Sequence, residues 1–273
     1  MRIKVLMEDC AKAPYDFEHG LSLYLQTAQH KILFDMGKSD LFLKNAKKMD
    51  VDLSQVDLAV LSHGHYDHGG GLSAFLKQNH RAQVYLHEKA TEGHYARRSH
   101  DSIDDIGVSI GRLDLSRIHT VCGDQQIDEG LLLFSSVSGQ KLRSQSNHVL
   151  LIKTESGFVK DPFEHEQNLL ICENGKKVLI SGCAHRGIVN ILDCAMELAG
   201  GAMDVVIGGF HLSNPSKGTC EPDATLDGIA EYLMRFPTKY ATCHCTGVTA
   251  YQKLRQKMGD QIQYISAGDH LVI

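Results

Sequence analysis

Three histidines and an aspartate fall within six consecutive residues of this chain, directly after an apolar run. Residues 58–61 have the length and composition of a buried strand, and Ser62 separates them from His63-Gly64-His65-Tyr66-Asp67-His68. A hydrophobic core would be a poor place for so many ionisable side chains. Imidazoles and a carboxylate presented together by a loop are typical of sites for Zn, Fe, Mn or Ni. The segment therefore predicts a metal-binding loop at one end of a sheet.

Short apolar runs typical of strands recur along the whole chain, and helical spacing is less frequent. The predicted strands cover residues 3–7, 21–26, 31–34, 58–61, 83–87, 131–137, 149–154, 168–172, 177–181, 204–207, 240–242, 263–266 and 270–273. The predicted helices cover residues 39–49, 72–78, 188–198 and 225–236.

Strands precede helices in each half of the chain, and this order appears twice. It favours an α+β fold in which two mixed sheets pack face to face with helices on the outer faces, a four-layer αββα sandwich. No low-complexity linker interrupts the chain, so we expect a single domain over residues 1–273. Residues 91–116 are polar and irregular, and they predict an insert or a lid.

The composition excludes several classes of protein. A net charge of −5 argues against a broad nucleic-acid-binding face, although a local basic pocket stays compatible with it. We find no apolar run near the ~18 residues of a membrane span, and the N-terminal apolar stretch is too short for a secretory signal. A cytosolic location is the expectation. The eight cysteines are then mostly reduced and buried rather than paired in a disulfide framework.

The His-x-His-x-Asp-His pattern after an apolar strand resembles the signature of the metallo-β-lactamase superfamily, and the resemblance covers nearly the whole chain. Residues 33–37, which include Asp35, resemble the early Asp-Gly element of that family. The resemblance implies that Asp35 lies behind the metal loop and orients it. Further markers are similar to a subgroup labelled as 7,8-dihydropterin-6-methyl-4-(β-D-ribofuranosyl)aminobenzene-5′-phosphate synthase-like; they lie at residues 57–68, 181–191, 208–212 and 243–247.

The same resemblance implies two divalent metal ions. His63 and His65 would share the first ion with a later histidine, which is His185 by preference, His165, or both. Asp67 and His68 would hold the second ion, with His244 as the last ligand of the motif.

Cys183 stands where the family usually places a bridging aspartate. It is either a thiolate ligand or a small buried residue in a tight turn, and both interpretations stay open. A thiolate would favour Zn or Fe over Mn. Zn is therefore the favoured metal, with Mn and Fe as alternatives.

The predicted function is two-metal hydrolysis of a small anionic substrate, a phosphate ester or phosphodiester. Asp67 would serve as ligand or proton acceptor, and His211 as general acid by comparison with phosphodiesterase members. Arg186 is the candidate anion clamp, with Lys141 and Arg143 as another. Two alternatives remain: a ribofuranosylaminobenzene 5′-phosphate synthase-like enzyme of pterin biosynthesis, and a metal-binding redox or sensor protein that uses Cys183, Cys243 and Cys245.

Overall fold

The computed structural model describes residues 1–98, 102–109, 115–214 and 218–273. The strands among these residues are β1 (Arg2–Met7), β2 (Ser22–Gln26), β3 (Lys31–Phe34), β4 (Leu58–Val60), β5 (Gln83–His87), β6 (His94–Arg97), β7 (Ile103–Asp105), β8 (Ile118–Val121), β9 (Gln125–Asp128), β10 (Leu131–Phe134), β11 (Leu150–Thr154), β12 (Gly157–Lys160), β13 (Asn168–Glu173), β14 (Lys176–Ile180), β15 (Val205–Gly208), β16 (Ser213–Asn214), β17 (Thr219–Cys220), β18 (Lys239–Thr242), β19 (Ile262–Tyr264) and β20 (His270–Val272). The α-helices are α1 (Leu41–Lys48), α2 (Tyr66–Gly69), α3 (Leu72–Gln78), α4 (Ile188–Ala199), α5 (Asp223–Leu233) and α6 (Val248–Met258).

These elements form two compact units. Unit 1 comprises Met1–Gly93, Ile106–Cys122 and Ile265–Ile273, whereas unit 2 comprises His94–Asp105 and Gly123–Tyr264. The single domain over residues 1–273 stays a prediction.

Unit 1 contains a mixed sheet with the strand order β20-β1-β2-β3-β4-β5-β8. The first three pairings are antiparallel, and the three pairings from β3 to β8 are parallel. The central strand β4 is apolar and buried along its whole length. Continuous apolar strands are expected where both faces of a sheet are covered.

Helices α1 and α3 complete the core of unit 1. Each helix buries one face: α1 buries Phe42 and Ala46, and α3 buries Leu72 and Phe75. These residues belong to the same hydrophobic cluster as Leu33 of the sheet. This apolar burial is the main source of stability for the unit.

Unit 2 contains a second mixed sheet, in the order β19-β18-β15-β14-β13-β10-β9. Here the pairings from β9 to β14 are antiparallel, and those from β14 to β19 are parallel. Helices α4, α5 and α6 bury apolar faces in its core, with Ile188, Leu226 and Leu254 as examples. A separate antiparallel sheet, β12-β11-β6-β7, also belongs to this unit.

The long apolar segments were predicted well, and the polar ones were not. Strands β3 and β5 and helix α3 have the predicted bounds. Helix α6 was not predicted, because its buried residues Ala250, Leu254 and Met258 form only a narrow stripe on an otherwise polar helix. The described part of the predicted lid contains β6 and β7, while residues 99–101 and 110–114 lie outside the described residues.

Among the described residues, no helix combines the length and the apolarity needed to cross a bilayer.

The core of unit 1 can be tested at Phe42, which is fully buried on α1. We expect Phe42→Ala to lower the free energy of unfolding by about 3–5 kcal/mol, because it leaves a cavity in a packed core. The matched control is Phe17→Ala, since Phe17 is 63% exposed; it should change stability by less than about 0.5 kcal/mol. Urea unfolding followed by circular dichroism measures both, and equal effects would contradict this account of the core.

Candidate metal centre

The metal loop of unit 1 begins at the carboxyl ends of two neighbouring parallel strands. Asp35 directly follows β3, and residues 61–65 follow β4, which pairs with β3 in parallel. Ligand sites in such sheets lie at the carboxyl ends of the strands. Asp35 takes a left-handed conformation with φ of 58°, which turns the chain sharply at this point.

Asp35 is completely buried and organises the loop by hydrogen bonds. Its Oδ1 accepts from the Ser62 amide at 2.7 Å, and its Oδ2 accepts from Ser62 Oγ at 2.7 Å and from His68 Nδ1 at 2.6 Å. Because Ser62 Oγ donates its single proton to Asp35, it accepts from His63 Nδ1, which lies 2.8 Å away. Both histidines therefore carry a proton on Nδ1, and the Nε2 atom is the one that offers a lone pair to a metal.

The remaining residues of the motif lie in the short helix α2 and at its start. His65 precedes the helix in an extended conformation, and its ring centroid is 4.5 Å from that of His63. The His68 ring centroid is 4.1 Å from that of His63. One carboxylate oxygen of Asp67 lies 3.2 Å from His19 Nε2, whose other ring nitrogen contacts Asp9 Oδ2 at 3.0 Å. His19 therefore ties the Asp67 carboxylate to the rest of unit 1.

Two glycines after the motif allow the backbone to pass close to the loop behind it. A Cβ atom on Gly70 would lie 2.1 Å from the carbonyl oxygen of Lys38, and one on Gly71 would lie 2.2 Å from that of Met36. No side chain fits at such distances, so the turn that follows His68 requires glycine at both positions.

In unit 2, three neighbouring parallel strands carry polar residues at the same edge of the sheet. Cys183 and His185 follow β14, His211 follows β15, and His244 and Cys245 follow β18. Ala184, His211 and His244 have φ of 56°, 50° and 51°. Left-handed non-glycine residues cost of order 1 kcal/mol each and concentrate at functional sites.

Cys183 lies at the centre of this cluster. Its sulfur lies within 4.8 Å of a ring nitrogen of His185, of His244 and of His211, and of the sulfur of Cys245. A group so close to three imidazoles and a second thiol matches a ligand position better than a simple packing residue.

His185 is held in one orientation by its neighbours. Asn147 Nδ2 donates to the His185 carbonyl at 2.7 Å, so the amide oxygen of Asn147 faces the ring and accepts from His185 Nδ1 at 3.1 Å. The ring stacks on Phe163 with a centroid separation of 4.6 Å.

Glu166 accepts from the backbone amides of His185 and Arg186 at 2.6 and 2.9 Å. Burial raises the pKa of Glu166 to about 7, against the opposite effect of these two bonds.

Two further groups in unit 2 have unusual environments. Burial by itself would raise the pKa of Cys245, but the neighbouring Cys183, His211 and His244 side chains hold it well below its ordinary value. Both ring nitrogens of His211 are buried, and neither has a hydrogen-bond partner among the described residues. A buried imidazole without a partner indicates a group that the polypeptide itself does not supply.

His165, the other candidate ligand of the first ion, is part of a different arrangement. His165 Nε2 and His94 Nδ1 both donate to Asp161 Oδ2, at 3.1 and 3.2 Å, and their ring centroids are 3.9 Å apart. Burial would raise the pKa of Asp161, but the bonds from His165 and His94 hold it well below its usual range. His94 had no predicted role.

The structure brings the predicted site residues together within each unit. In unit 1 these are His63, His65, Asp67 and His68, and in unit 2 they are Cys183, His185, His211 and His244. Imidazole, thiolate and carboxylate groups form a donor set that fits Zn²⁺ or Fe²⁺.

Four residues that contact the candidate ligands had no predicted role: Ser62, Glu166, Asn147 and His19. Cys245 was predicted only as one of the cysteines of a metal-binding redox or sensor protein. Ser62 had a usable signal, because it stands between the strand and the first histidine. Nothing in the local sequence indicated Glu166 or Asn147.

The family model described as the metallo-β-lactamase superfamily matches residues 15–194. The chain belongs to this superfamily. An uncharacterised protein of Methanocaldococcus jannaschii is 28% identical over 255 residues, which are 93% of this chain and 94% of that protein. A second protein of the same organism, named as 7,8-dihydropterin-6-methyl-4-(β-D-ribofuranosyl)-aminobenzene-5′-phosphate synthase, is 27% identical and covers 98% of this chain and 95% of its own length.

A solved structure described as a metal-dependent hydrolase of the β-lactamase superfamily superposes with a TM-score of 0.84. It is 29% identical and covers 100% of this chain and 99% of its own. The predicted fold class and the predicted resemblance to the synthase-like subgroup are confirmed by these similarities.

The role of Asp35 can be tested with Asp35→Asn. Asparagine keeps the shape of the side chain and tolerates the left-handed conformation. Its Nδ2 atom is only a donor, however, so it cannot accept the hydrogen bonds from Ser62 and His68. We expect metal affinity to fall roughly 10- to 100-fold, as is typical when a group that orients a metal ligand is lost. The measurement is zinc competition with a chromophoric chelator. Asp40→Asn, at an exposed position, is the control, and equal affinity in both variants would show that Asp35 does not orient the loop.

Proposed function

We propose that this chain is a dinuclear metal-dependent hydrolase that acts on a phosphate ester or phosphodiester. In this proposal His63, His65 and His185 hold the first ion, and Asp67, His68 and His244 hold the second. The assignment of these residues to two ions follows the pattern of the superfamily. Cys183 is the shared ligand, in the position where the family usually has an aspartate.

The observation that carries the proposal is the hydrogen-bonded chain from Asp35 through Ser62 to His63, together with the bond from Asp35 to His68. It fixes the tautomer of two histidines so that the same ring atom of each is the potential ligand. A loop that only needed polar residues for solvation would not bury a carboxylate to do this.

The environment of Cys183 supports His185 rather than His165 as the third ligand of the first ion. Cys183 lies within 4.8 Å of His185. The Nε2 atom of His165 instead donates to Asp161. Thiolate ligation would favour Zn or Fe over Mn, so Zn is the metal we propose.

When bound, two such ions supply Lewis acidity and activate water as a nucleophile at neutral pH. The Asp67 carboxylate then acts as ligand or proton acceptor, and its contact with His19 Nε2 keeps it in one orientation. We assign the general acid to His211, since its buried ring nitrogens have no partner in the described part of the chain and the substrate can provide one.

A pair of arginines supports an anionic substrate. Burial lowers the pKa of Arg143, and the nearby guanidinium of Arg186 lowers it further, while Glu166 opposes both. The Nε atoms of both arginines are buried without a hydrogen-bond partner among the described residues. Burial and mutual repulsion make it unfavourable to hold two guanidinium groups close together. Such a pair is typical of a site that binds phosphate.

A synthase activity is the second candidate, because the Methanocaldococcus jannaschii relative with that name matches over nearly the whole chain. Both candidates use a phosphorylated substrate. Release of pyrophosphate from a phosphoribosyl donor would indicate the synthase, whereas hydrolysis of a nitrophenyl phosphoester without any second substrate would indicate the hydrolase.

The dinuclear centre can be tested with His63→Ala and Asp67→Ala. We expect each variant to lose at least one bound metal ion per chain and phosphoesterase turnover to fall by more than 100-fold, because each removes a ligand. Elemental analysis and steady-state kinetics measure the two effects. His80→Ala, at an exposed histidine, is the matched control. Full metal content and turnover in His63→Ala would refute the assignment.

The arginine pair can be tested with Arg186→Ala and Arg143→Ala. Loss of a charge-assisted hydrogen bond costs about 1.5–3 kcal/mol, so we expect kcat/KM for a phosphoester to fall roughly 10- to 150-fold, mainly through KM. Arg235→Ala, at an exposed arginine of the same unit, should leave it unchanged. A fall in kcat at constant KM would assign these arginines to a step other than substrate binding.

A further inference from the structure

We propose that Cys245 joins Cys183 in a two-thiolate ligand pair for a soft or borderline divalent cation, with Zn²⁺ as the best fit. The inference rests on the proposed function for the role of Cys183, and it adds a ligand that the metal pattern of the sequence does not contain. It makes this half of the centre sulfur-rich and selective for Zn over Mn or Mg.

The sulfurs of Cys183 and Cys245 lie close together. A ligand atom of Cys183, one of Cys245 and one of His211 all lie within 4.8 Å of one another. Two sulfurs bound to one zinc ion at about 2.3 Å each are separated by at most roughly 4.6 Å. The two sulfurs are therefore close enough to share an ion with little or no movement of the backbone.

The backbone beside Cys245 is shaped to receive its sulfur. A Cβ atom on Gly209 would lie 2.4 Å from Cys245 Sγ, and one on Gly208 would lie 2.1 Å from the carbonyl oxygen of Ser181. Gly208 also has φ of 145°, a conformation that other residues rarely adopt. Gly209 therefore leaves the space that the thiol occupies, and Gly208 lets the end of β15 pass close to the backbone of Ser181.

The surroundings of the Cys245 sulfur are polar. The His211 amide donates a hydrogen bond to Cys245 Sγ at 3.2 Å, and this donor supports a thiolate at that position. Cys183 and Cys245 are only 3% and 7% exposed. A buried cysteine that served only packing would have apolar neighbours, whereas Cys245 lies next to Cys183, His211 and His244.

Each thiol loses its proton to solvent when it binds the cation. His211 then lies beside the thiolate pair, where its ring can donate a proton to the leaving oxygen of a bound substrate. This placement is compatible with the general-acid role proposed above.

The test is spectroscopy of the cobalt-substituted full-length protein. Thiolate ligands give a near-ultraviolet charge-transfer band whose intensity increases with their number. We expect Cys183→Ser and Cys245→Ser each to lose about half of the band, and zinc affinity to fall by at least 10-fold in each. Cys172→Ser, at an exposed cysteine of the same unit, should keep the full band.

X-ray absorption of the zinc-loaded wild-type protein counts the sulfur ligands without any substitution. Two sulfurs on one of the ions would support the pair, and one or none would overturn it. An unchanged cobalt band in Cys245→Ser beside a reduced band in Cys183→Ser would also overturn it. His211→Ala should keep the band and lose turnover.

The two proposals can fail separately. Two sulfur ligands in a protein that hydrolyses no phosphoester would support the thiolate pair and reject the hydrolase. Phosphoester hydrolysis by a protein with a single sulfur ligand would support the hydrolase and reject the pair.

Discussion

The buried carboxylate of Asp35 is the constraint on which the metal loop depends. One residue fixes the backbone of Ser62, the hydroxyl of Ser62 and the ring of His68, and through that hydroxyl it fixes His63 as well. An isolated buried carboxylate would be expensive, and three hydrogen bonds to it offset that cost. The loop is therefore organised before any ligand binds, and this lowers the conformational-entropy cost of binding a metal ion.

The polar edge of the large sheet in unit 2 is also stabilised by a buried carboxylate. Glu166 accepts the amides of His185 and Arg186, so a buried carboxylate again organises a turn that follows a parallel strand. Here the candidate ligands follow three strands instead of lying in one loop, and the backbone is left-handed at Ala184 and His244. The apolar core of this unit, which includes Ile188 and Leu254, stabilises the fold enough to offset the strain of these left-handed residues.

Much of the first unit's site could be predicted from the sequence, because its ligands are contiguous and follow a clear strand. The second unit's site was harder to predict, since its ligands are separated by long stretches of chain and meet only through the order of β14, β15 and β18. Cys245 illustrates the limit. A cysteine is as compatible with packing as with ligation, and only its position beside Cys183 and above Gly209 separates the two.

The two large sheets share one pattern of strand directions. Read from β20 to β8, and from β9 to β19, each has three antiparallel pairings followed by three parallel ones. Such an internal repeat is what duplication and fusion of an ancestral half-length chain would leave. Under that history Asp35 and Ser181 occupy equivalent places, because each directly follows the first strand of the parallel half and donates its amide to a carbonyl oxygen of the neighbouring strand. Divergence then gave one copy an acid that organises a loop and the other a serine two residues before the thiol of Cys183.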